Sequence, residues 1–308
     1  MSQFKNLICY TTGRPKTTKI IQQFARGVVN RGVQDWVPRV INIEDFLNNG
    51  HPADTDAIVC LGILRGTGLA LQSAASKGID RYYIDHAYFN PGYDGNGWLR
   101  ISKNKHTMNY LPETGVYSDR WKANFSTTND VYAWRPRRAR GDKILVLPPT
   151  HAVQWYFNSY NWEDMVVDKL KQNLPASMHN LIKVRKKPNE PIVDKLGNLL
   201  RLEKQVSEEN VPLQQDLDDA NIVIAYNSMV ALQATMQGIP VITNQHNCCY
   251  PISYTFEDLF TDVNNPKFDQ DPNRKKLMHW LSSCQFNNAE IQRGTAWDMM
   301  NALQGQVG

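Results

Sequence analysis

The sequence predicts an α/β fold in which two doubly wound, Rossmann-like halves follow each other along the chain. The chain has 308 residues, which is enough for two domains of ordinary size. Short apolar runs alternate with segments of helical spacing over most of its length, as expected for parallel sheets covered by helices. The stretch NIVIAYNSMVALQATMQGIPVI, residues 221–242, contains one complete strand-helix-strand unit.

The first half begins with a predicted strand at residues 7–10 and a helix at 17–29, where Ile20, Ile21, Phe24 and Val28 have helical spacing. A second strand at 57–61 and a helix at 68–76 follow. The segment RYYIDHAYF, residues 81–89, is typical of a buried strand with polar residues at its end. Residues 91–129 have the composition of loops.

The second half is predicted to start with the strand KILVLPPT at 143–150. A helix at 162–172, a strand at 181–188 and a partial helix within 193–206 lead to the unit at 221–242. We therefore place the two domains at residues 1–140 and 141–285. A C-terminal helix over 286–308 is expected to pack back on the first domain.

The unit at 221–242 predicts an anion site. Residues 222–225 form a short apolar run typical of a strand buried on both faces. Asn227 and Ser228 are good N-cap residues, and Gly238 and Pro240 end the helix that follows. The free amides at such a helix start favour a phosphate at the carboxyl edge of the sheet. The alternative interpretation is a structural unit in which the Asn-Ser step is only a cap.

Composition excludes several classes of protein. No apolar run reaches 18 residues. The apolar segment within the N-terminal sequence MSQFKNLICYTTG is too short for a signal peptide or membrane anchor. We therefore expect a cytoplasmic protein without a membrane partner. The five cysteines are odd in number and lack CxxC spacing, which predicts neither a disulfide framework nor a zinc site.

Charge is distributed unevenly along the chain. Residues 1–145 contain 20 Lys and Arg against 12 Asp and Glu, a net charge of +8, whereas residues 146–308 contain 14 against 18, a net charge of −4. This asymmetry favours a polyanion such as nucleic acid as a partner of the first half, with solvated surface charge as the alternative.

Polar residues follow the predicted strands of the second half. Thr150 and His151 come after one strand, and Tyr226, Asn227 and Ser228 come after another. In the strand at 181–188, alternation would project three cations to one face, where they could clamp a diphosphate; they are Lys183, Arg185 and Lys187. The alternative is an edge strand whose cations discourage aggregation.

The first half contains two further candidates. Gly62, Arg65 and Gly66 lie between a strand and a helix and could form an anion-binding loop, although such a sequence is more often a tight turn. Asp85 and His86 end a buried strand, where either could remove a proton from an acceptor hydroxyl. For His86 the alternative is a structural histidine.

Basic clusters in the positive half are candidates for DNA contacts. They include Arg14 and Lys16 after the first strand, Arg100 and Lys103 in RISKNKH, and Trp134, Arg135, Arg137 and Arg138 in YAWRPRRARGDK. The cations could follow phosphates, and Trp134 could stack beside an extruded base. The alternative for the arginine-rich run is an exposed interdomain linker.

Taken together, these motifs resemble a known family. The segment AYNSMVALQATMQGIPVI is similar to the donor-binding stretch of capsule-polysaccharide glycosyltransferases of the GT-B fold, in which two Rossmann-like domains face a central cleft. GILRGTG and YYIDHAYFNPGYDGNGWLRISKN resemble phage glycosyltransferases that decorate hydroxymethylated DNA bases. The resemblance covers the overall architecture and the 48 residues of these three motifs.

The resemblance implies an activity and roles for residues. It implies that Lys183, Arg185, Tyr226, Asn227 and Ser228 contact the donor and that Asp85 is the base. The reaction would transfer a hexose or pentose from a UDP-sugar to 5-hydroxymethylated or already glycosylated pyrimidines in double-stranded phage DNA. Amides and cations would stabilise the departing diphosphate, so no metal and no tightly bound cofactor are expected.

Three alternatives stay open at this point. One is a transferase that acts on a surface polysaccharide, and another is a sugar-nucleotide epimerase of the same fold. The third is a DNA-binding protein without catalytic activity. The basic clusters favour DNA as a partner but do not separate these alternatives.

Overall fold

A computed structural model describes residues 4–31, 35–94, 97–113, 118–125, 141–204, 211–261 and 271–304. The described strands are β1 (Lys5–Thr11), β2 (Trp36–Asn42), β3 (Thr55–Leu61), β4 (Asp80–His86), β5 (Trp98–Lys103), β6 (Lys143–Leu147), β7 (Ile182–Val184), β8 (Asn189–Val193), β9 (Leu199–Lys204), β10 (Ala220–Ala225), β11 (Val241–Thr243) and β12 (Gln285–Asn287).

Helices separate most of these strands. They are α1 (Pro15–Asn30), α2 (Ile43–Asn49), α3 (Thr67–Ser76), α4 (Ser118–Asn124), α5 (His151–Phe157), α6 (Trp162–Asn173), α7 (Leu213–Asp219), α8 (Val230–Met236), α9 (Phe256–Thr261), α10 (Asp271–Ser283), α11 (Asn288–Arg293) and α12 (Thr295–Gln304). Short 3-10 helices lie at Ala176–Leu181 and Tyr250–Ile252.

The fold is α/β, as predicted, and has two main sheets. The first has the order β12-β5-β4-β3-β1-β2, with parallel pairing among β1 to β4 and antiparallel pairing of β5 with both neighbours. The second has the order β11-β10-β6-β7 and is entirely parallel. Parallel neighbours point their carboxyl ends to the same edge, which is where ligands of such sheets bind.

Two sequence-based expectations for secondary structure were wrong in the middle of the chain. The region 91–129, predicted as loops, contains β5 and α4, and the predicted helix within 193–206 is the antiparallel hairpin β8–β9. The Asp194 carboxylate accepts hydrogen bonds from the amides of Leu196 and Asn198, and Gly197 has φ +73°. This turn chemistry reverses the chain, although the flanking residues have good helical propensity.

The two halves share their hydrophobic cores. One core joins Leu7 and Phe24 to Leu145 and Leu232, and a second joins Ile8 to Ala152 of α5. A third core, around Ile144, contains residues of the second half. The two halves therefore pack against each other along these cores, and the central cleft implied by the resemblance stays a prediction.

The C-terminal segment is attached to the first half. Strand β12 extends the first sheet, and α11 crosses α1 where a Cβ on Gly27 would lie 2.1 Å from the Ile291 carbonyl oxygen. The single helix expected here is two helices, because Gly294 at φ +85° ends α11. Within the described residues, no helix combines the length and apolarity needed to cross a membrane.

Candidate functional site

The candidate site lies where the carboxyl end of β4 meets the chain that follows β10. Asp85 of β4 is paired in register with Arg100 of β5. The Arg100 Nη1 atom lies 3.6 Å from the Met229 sulfur. Met229 directly follows Asn227 and Ser228 in the chain. The structure thus brings together the predicted base of the first half and the predicted donor segment of the second.

Asp85 is held by three donors. Its Oδ2 accepts hydrogen bonds from Arg100 Nη2 at 3.0 Å and from the Tyr83 hydroxyl at 2.6 Å, and its Oδ1 accepts one from the His86 amide at 2.8 Å. Burial raises the pKa of Asp85, but the Arg100 charge and these hydrogen bonds lower the pKa by a larger amount, so the net shift is downward. Asp85 is therefore a carboxylate at neutral pH. His86 is exposed, and its ring packs edge-on against Tyr93 at 4.5 Å.

Arg100 is a buried cation with capacity for one more bond. The residue is 6% exposed, and its guanidinium lies over the rings of Tyr83 and Tyr88. Its Nε atom is buried and has no hydrogen-bond partner among the described residues. The prediction that Arg100 contacts DNA is wrong, because the side chain is inside the protein and paired with Asp85.

The Asn-Ser step lies before the helix rather than at its cap. Helix α8 begins at Val230, with Met229 in the N-cap position. The Ser228 hydroxyl accepts a hydrogen bond from the Val230 amide at 3.3 Å, and Asn247 Nδ2 donates to the Ser228 carbonyl at 3.2 Å. Both Asn227 and Ser228 are partly exposed at the carboxyl edge of the second sheet.

Tyr226 has a packing role. The residue is 5% exposed, its ring stacks on His246 at 5.4 Å, and Trp162 packs edge-on against it at 5.6 Å. Burial raises the pKa of Tyr226. Tyr226 thus holds His246 at the edge of the site.

The predicted diphosphate clamp is largely neutralised. Lys183 Nζ lies 2.9 Å from Asp216 Oδ1, and Arg185 forms an ion pair with the other oxygen of the same carboxylate. Asp216 is 2% exposed, so it compensates both cations inside the protein. Lys187 lies beyond the end of β7 and is exposed, so its side chain is accessible to a phosphate.

A carboxylate occupies the start of α5. The His151 amide donates to Glu190 Oε1 at 2.5 Å, and His151 Nδ1 accepts a hydrogen bond from the Val193 amide at 3.3 Å. Thr150 is the N-cap residue and makes no side-chain capping bond. Glu190 already accepts the His151 amide at this helix start, and Thr150 lines a small polar recess with Glu190 and Lys187 rather than an open phosphate site.

The glycine-containing loop of the first half is a turn that contacts the second half. Gly62, Arg65 and Gly66 have φ values of +70°, +62° and +85°, and the Arg65 amide donates to the Gly197 carbonyl at 3.1 Å. Burial and the nearby charge of Arg14 lower the pKa of Arg65. The loop therefore joins the halves, and two like charges lie close together beside it.

The other predicted DNA contacts have different fates. The Lys103 side chain is 10% exposed and pairs with Asp80 at 2.9 Å, so that prediction is wrong for the same reason as for Arg100. Arg14 and Lys16 are exposed at the start of α1, where Lys16 pairs with Asp94 at 2.9 Å. Trp134, Arg135, Arg137 and Arg138 lie outside the described residues.

A cavity of about 210 Å³ lies between the halves. Tyr83 and His106 line it from the first half, and Tyr156, Phe157 and His246 line it from the second. His106 stacks on Tyr83 at 4.6 Å and contacts Phe157 edge-on at 5.2 Å. Burial, and to a smaller extent the Arg100 charge, lower the pKa of His106 to about 3.

Sequence reasoning missed this aromatic cavity. His106 lies within the region 91–129 that was predicted as loops, and Tyr156 and Phe157 lie in α5, which was not predicted. The run WYF at 155–157 was the available signal. A run of three aromatics gives no indication of the sheet against which it will pack.

Three Asp-x-Asp sequences occur, at residues 54–56, 216–218 and 269–271. Asp54 pairs with Arg39, Asp56 accepts the Asn6 amide, and Asp216 neutralises the two cations described above. Within the described ranges, no group of three His, Cys, Asp or Glu residues could hold a metal ion. The sequences at 54–56 and 216–218 have structural partners, and residues 269 and 270 lie outside the described residues. Metal independence stays a prediction.

Comparisons with known proteins give distant structural similarity. No protein-family model matches the sequence, and no curated protein matches it. Among solved structures, the beta Kdo 2,4 transferase KpsC of Thermosulfurimonas dismutans is 11% identical with a TM-score of 0.45, and the alignment covers 98% of each chain. The beta Kdo 2,7 transferase KpsC of the same organism is 13% identical with a TM-score of 0.39, covering 97% of this chain and 99% of that one. Similarity at this level assigns neither a family nor an activity to the chain.

Proposed function

We propose that the protein is a glycosyltransferase that moves a sugar from a nucleotide sugar to an acceptor hydroxyl. The observation that carries the proposal is the meeting of Asp85 and Arg100 with the Asn227–Met229 segment. Asp85 is also hydrogen-bonded to Tyr83, which lines the aromatic cavity. An ionised carboxylate, a buried cation and aromatic rings at one place suit the binding and activation of a polar ring. The motif resemblance of residues 221–242 supports the same conclusion.

Asp85 is the proposed base. Its Oδ1 has a single backbone donor, and the side chain is about 24% exposed, so an acceptor hydroxyl can reach it. As the acceptor oxygen attacks the anomeric carbon, its proton passes to Asp85. The bond from that carbon to the phosphate oxygen breaks, and the diphosphate leaves with the electron pair.

The donor is proposed to lie along the carboxyl edge of the second sheet. Asn227 and Ser228 are partly exposed there, and Lys187 is an exposed cation in the chain that follows β7. Lys183 and Arg185 would act indirectly, because Asp216 already neutralises them. We propose a UDP-sugar as the donor, with no metal and no tightly bound cofactor in the reaction.

The acceptor proposed is a 5-hydroxymethylated pyrimidine in DNA. Support comes from the charge of +8 in residues 1–145 and from the exposed cations Arg14 and Lys16. The burial of Arg100 and Lys103 removes two of the expected contacts, so a surface polysaccharide is the competing acceptor. The resemblance of this chain to both groups of transferases makes the acceptor an experimental question.

The test is a product assay with matched acceptors. The protein is incubated with UDP-, GDP- and CMP-sugars and with hydroxymethylcytosine DNA, unmodified DNA, an acidic polysaccharide or no acceptor. Sugar transfer that requires the modified DNA supports the full proposal, whereas transfer to polysaccharide supports the activity and replaces the acceptor. Absence of transfer and of nucleotide release with every donor would refute a glycosyltransferase.

A further inference from the structure

We propose that the cavity between the halves is the acceptor subsite and that it takes a single six-membered ring bearing an anionic group. The assignment of the cavity as an acceptor subsite rests on the proposed function, whereas the chemical class of the ligand is inferred from the residues that line the cavity. The cavity is lined by Tyr83, His106, Tyr156, Phe157, Arg81 and Lys105, among others.

Size limits the ligand to one ring. The cavity volume is about 210 Å³. Pockets for ligands of drug size have volumes of about 300–1,000 Å³. A whole nucleotide sugar therefore does not fit, and the donor must bind mainly elsewhere.

The walls suit a flat ring. Tyr83 and His106 form one stacked pair, and Phe157 and His246 form another at 4.0 Å. Aromatic faces stack on nucleobases and pack against sugar rings. The Nδ1 atom of His106 is buried without a hydrogen-bond partner among the described residues.

Uncompensated positive charge indicates an anion. In the same pair of strands, Arg100 is paired with Asp85 and Lys103 with Asp80. Arg81 instead donates to the Asn104 carbonyl oxygen at 2.8 Å, and Lys105 donates to the amide oxygen of Asn109 at 3.2 Å.

These partners of Arg81 and Lys105 are neutral, and none of the described lining residues is a carboxylate. Burial also lowers the pKa of Lys105, as expected for a cation that lacks a compensating anion. The geometry leaves both positive charges at the cavity without a counter-ion from its lining.

The shared chemistry has two sources. In a pyrimidine nucleotide the phosphate is on the deoxyribose attached to the six-membered ring, and in an acidic sugar the carboxylate is on the six-membered ring itself. The probes are therefore dCMP and glucuronate, each compared with its neutral counterpart, deoxycytidine or glucose. Titrations are performed with and without saturating UDP, so that binding at a donor site is separated from binding in the cavity.

The variants remove charge without removing the walls. Lys105→Gln and Arg81→Gln are expected to weaken binding of the anionic ring by about tenfold and to leave the affinity for the neutral ring unchanged. Lys171→Gln, an exposed lysine on α6, is the control and should change neither affinity. Phe157→Leu should weaken anionic and neutral rings alike, by several-fold.

Each outcome decides the inference. Preferential binding of dCMP or of glucuronate supports it and identifies the source of the ring. Equal affinity for charged and neutral rings, no binding of any probe, or charge variants that bind like the wild type would overturn it. If UDP-sugar turnover occurs while the probes fail, the inference alone is wrong; if the probes bind but no donor is turned over, the proposed function alone is wrong.

Discussion

At the scale of single residues, Asp85 is the group on which the proposed chemistry depends. Asp85→Asn keeps the shape of the side chain but removes the base, so kcat should fall by about 100- to 10,000-fold while UDP affinity stays nearly constant. Asp80→Asn is the matched control, because Asp80 is on the same strand and is paired with Lys103. Product assays and calorimetry distinguish the effects, and full activity of Asp85→Asn would remove this residue from the mechanism.

The ion pair with Arg100 predicts the pH dependence. Because the folded pKa of Asp85 is lowered, its stabilising contribution is complete above the unfolded value of about 3.9 and is lost as pH falls through the lower folded value. The acid limb of kcat/KM should therefore lie below about pH 4. Arg100→Gln removes the charge that lowers the pKa of Asp85, so burial should then raise this pKa and move the acid limb of kcat/KM to higher pH. Identical pH profiles of the two proteins would contradict this coupling.

At the scale of elements, strand β7 and helix α7 are joined by a carboxylate shared between two cations. Asp216→Ala should destabilise the protein by about 3 kcal/mol, because it leaves Lys183 and Arg185 near each other without their buried partner. Asp218→Ala, an exposed position of the same helix, should change the free energy of unfolding by less than about 0.5 kcal/mol. Urea denaturation measures the free energy of unfolding of both variants. Equal losses of stability would show that Asp216 does not stabilise the contact between β7 and α7.

The crossing of α1 and α11 tests local against tertiary preference. Alanine is the better helix former by about 1 kcal/mol, yet a Cβ at Gly27 would lie 2.1 Å from the Ile291 carbonyl oxygen. Gly27→Ala should therefore destabilise the protein by about 1–3 kcal/mol, whereas Gln22→Ala on the exposed side of α1 should be close to neutral. A stabilised Gly27→Ala variant would show that the two helices can separate without loss.

At the scale of the whole molecule, the shared cores make the two halves one unit of folding. Helix α5 packs on the first sheet, the Tyr156 carbonyl accepts a hydrogen bond from Gln72 at 2.9 Å, and Trp155 lies against Gly68. Urea unfolding should therefore follow a single transition. Tryptophan fluorescence and far-ultraviolet circular dichroism should give the same midpoint, and separate midpoints would indicate that the halves unfold independently.

Much of the fold and part of the site were predictable from local pattern. Strands β1, β3, β6, β10 and β11 are short apolar runs bounded by polar or turn residues, and their detection needs no knowledge of neighbours. Asp85 and the Asn227–Ser228 step were found because ligands of parallel sheets collect at the ends of strands. The hairpin β8–β9 and strand β5 were missed, because their residues also suit helices or loops and pairing partners distant in sequence determine their structure.

The sequence by itself determined the α/β class, the positions of the main parallel strands and the residues at their carboxyl ends. These follow from burial patterns and capping chemistry, which act over a few neighbouring residues. Tertiary structure alone decided which cations are free: Arg100, Lys103, Lys183 and Arg185 meet buried or partly buried carboxylates, whereas Arg81 and Lys105 meet neutral groups. An ion pair depends on a separation of a few ångströms between groups far apart in the chain, so its partners become visible when the chain is folded.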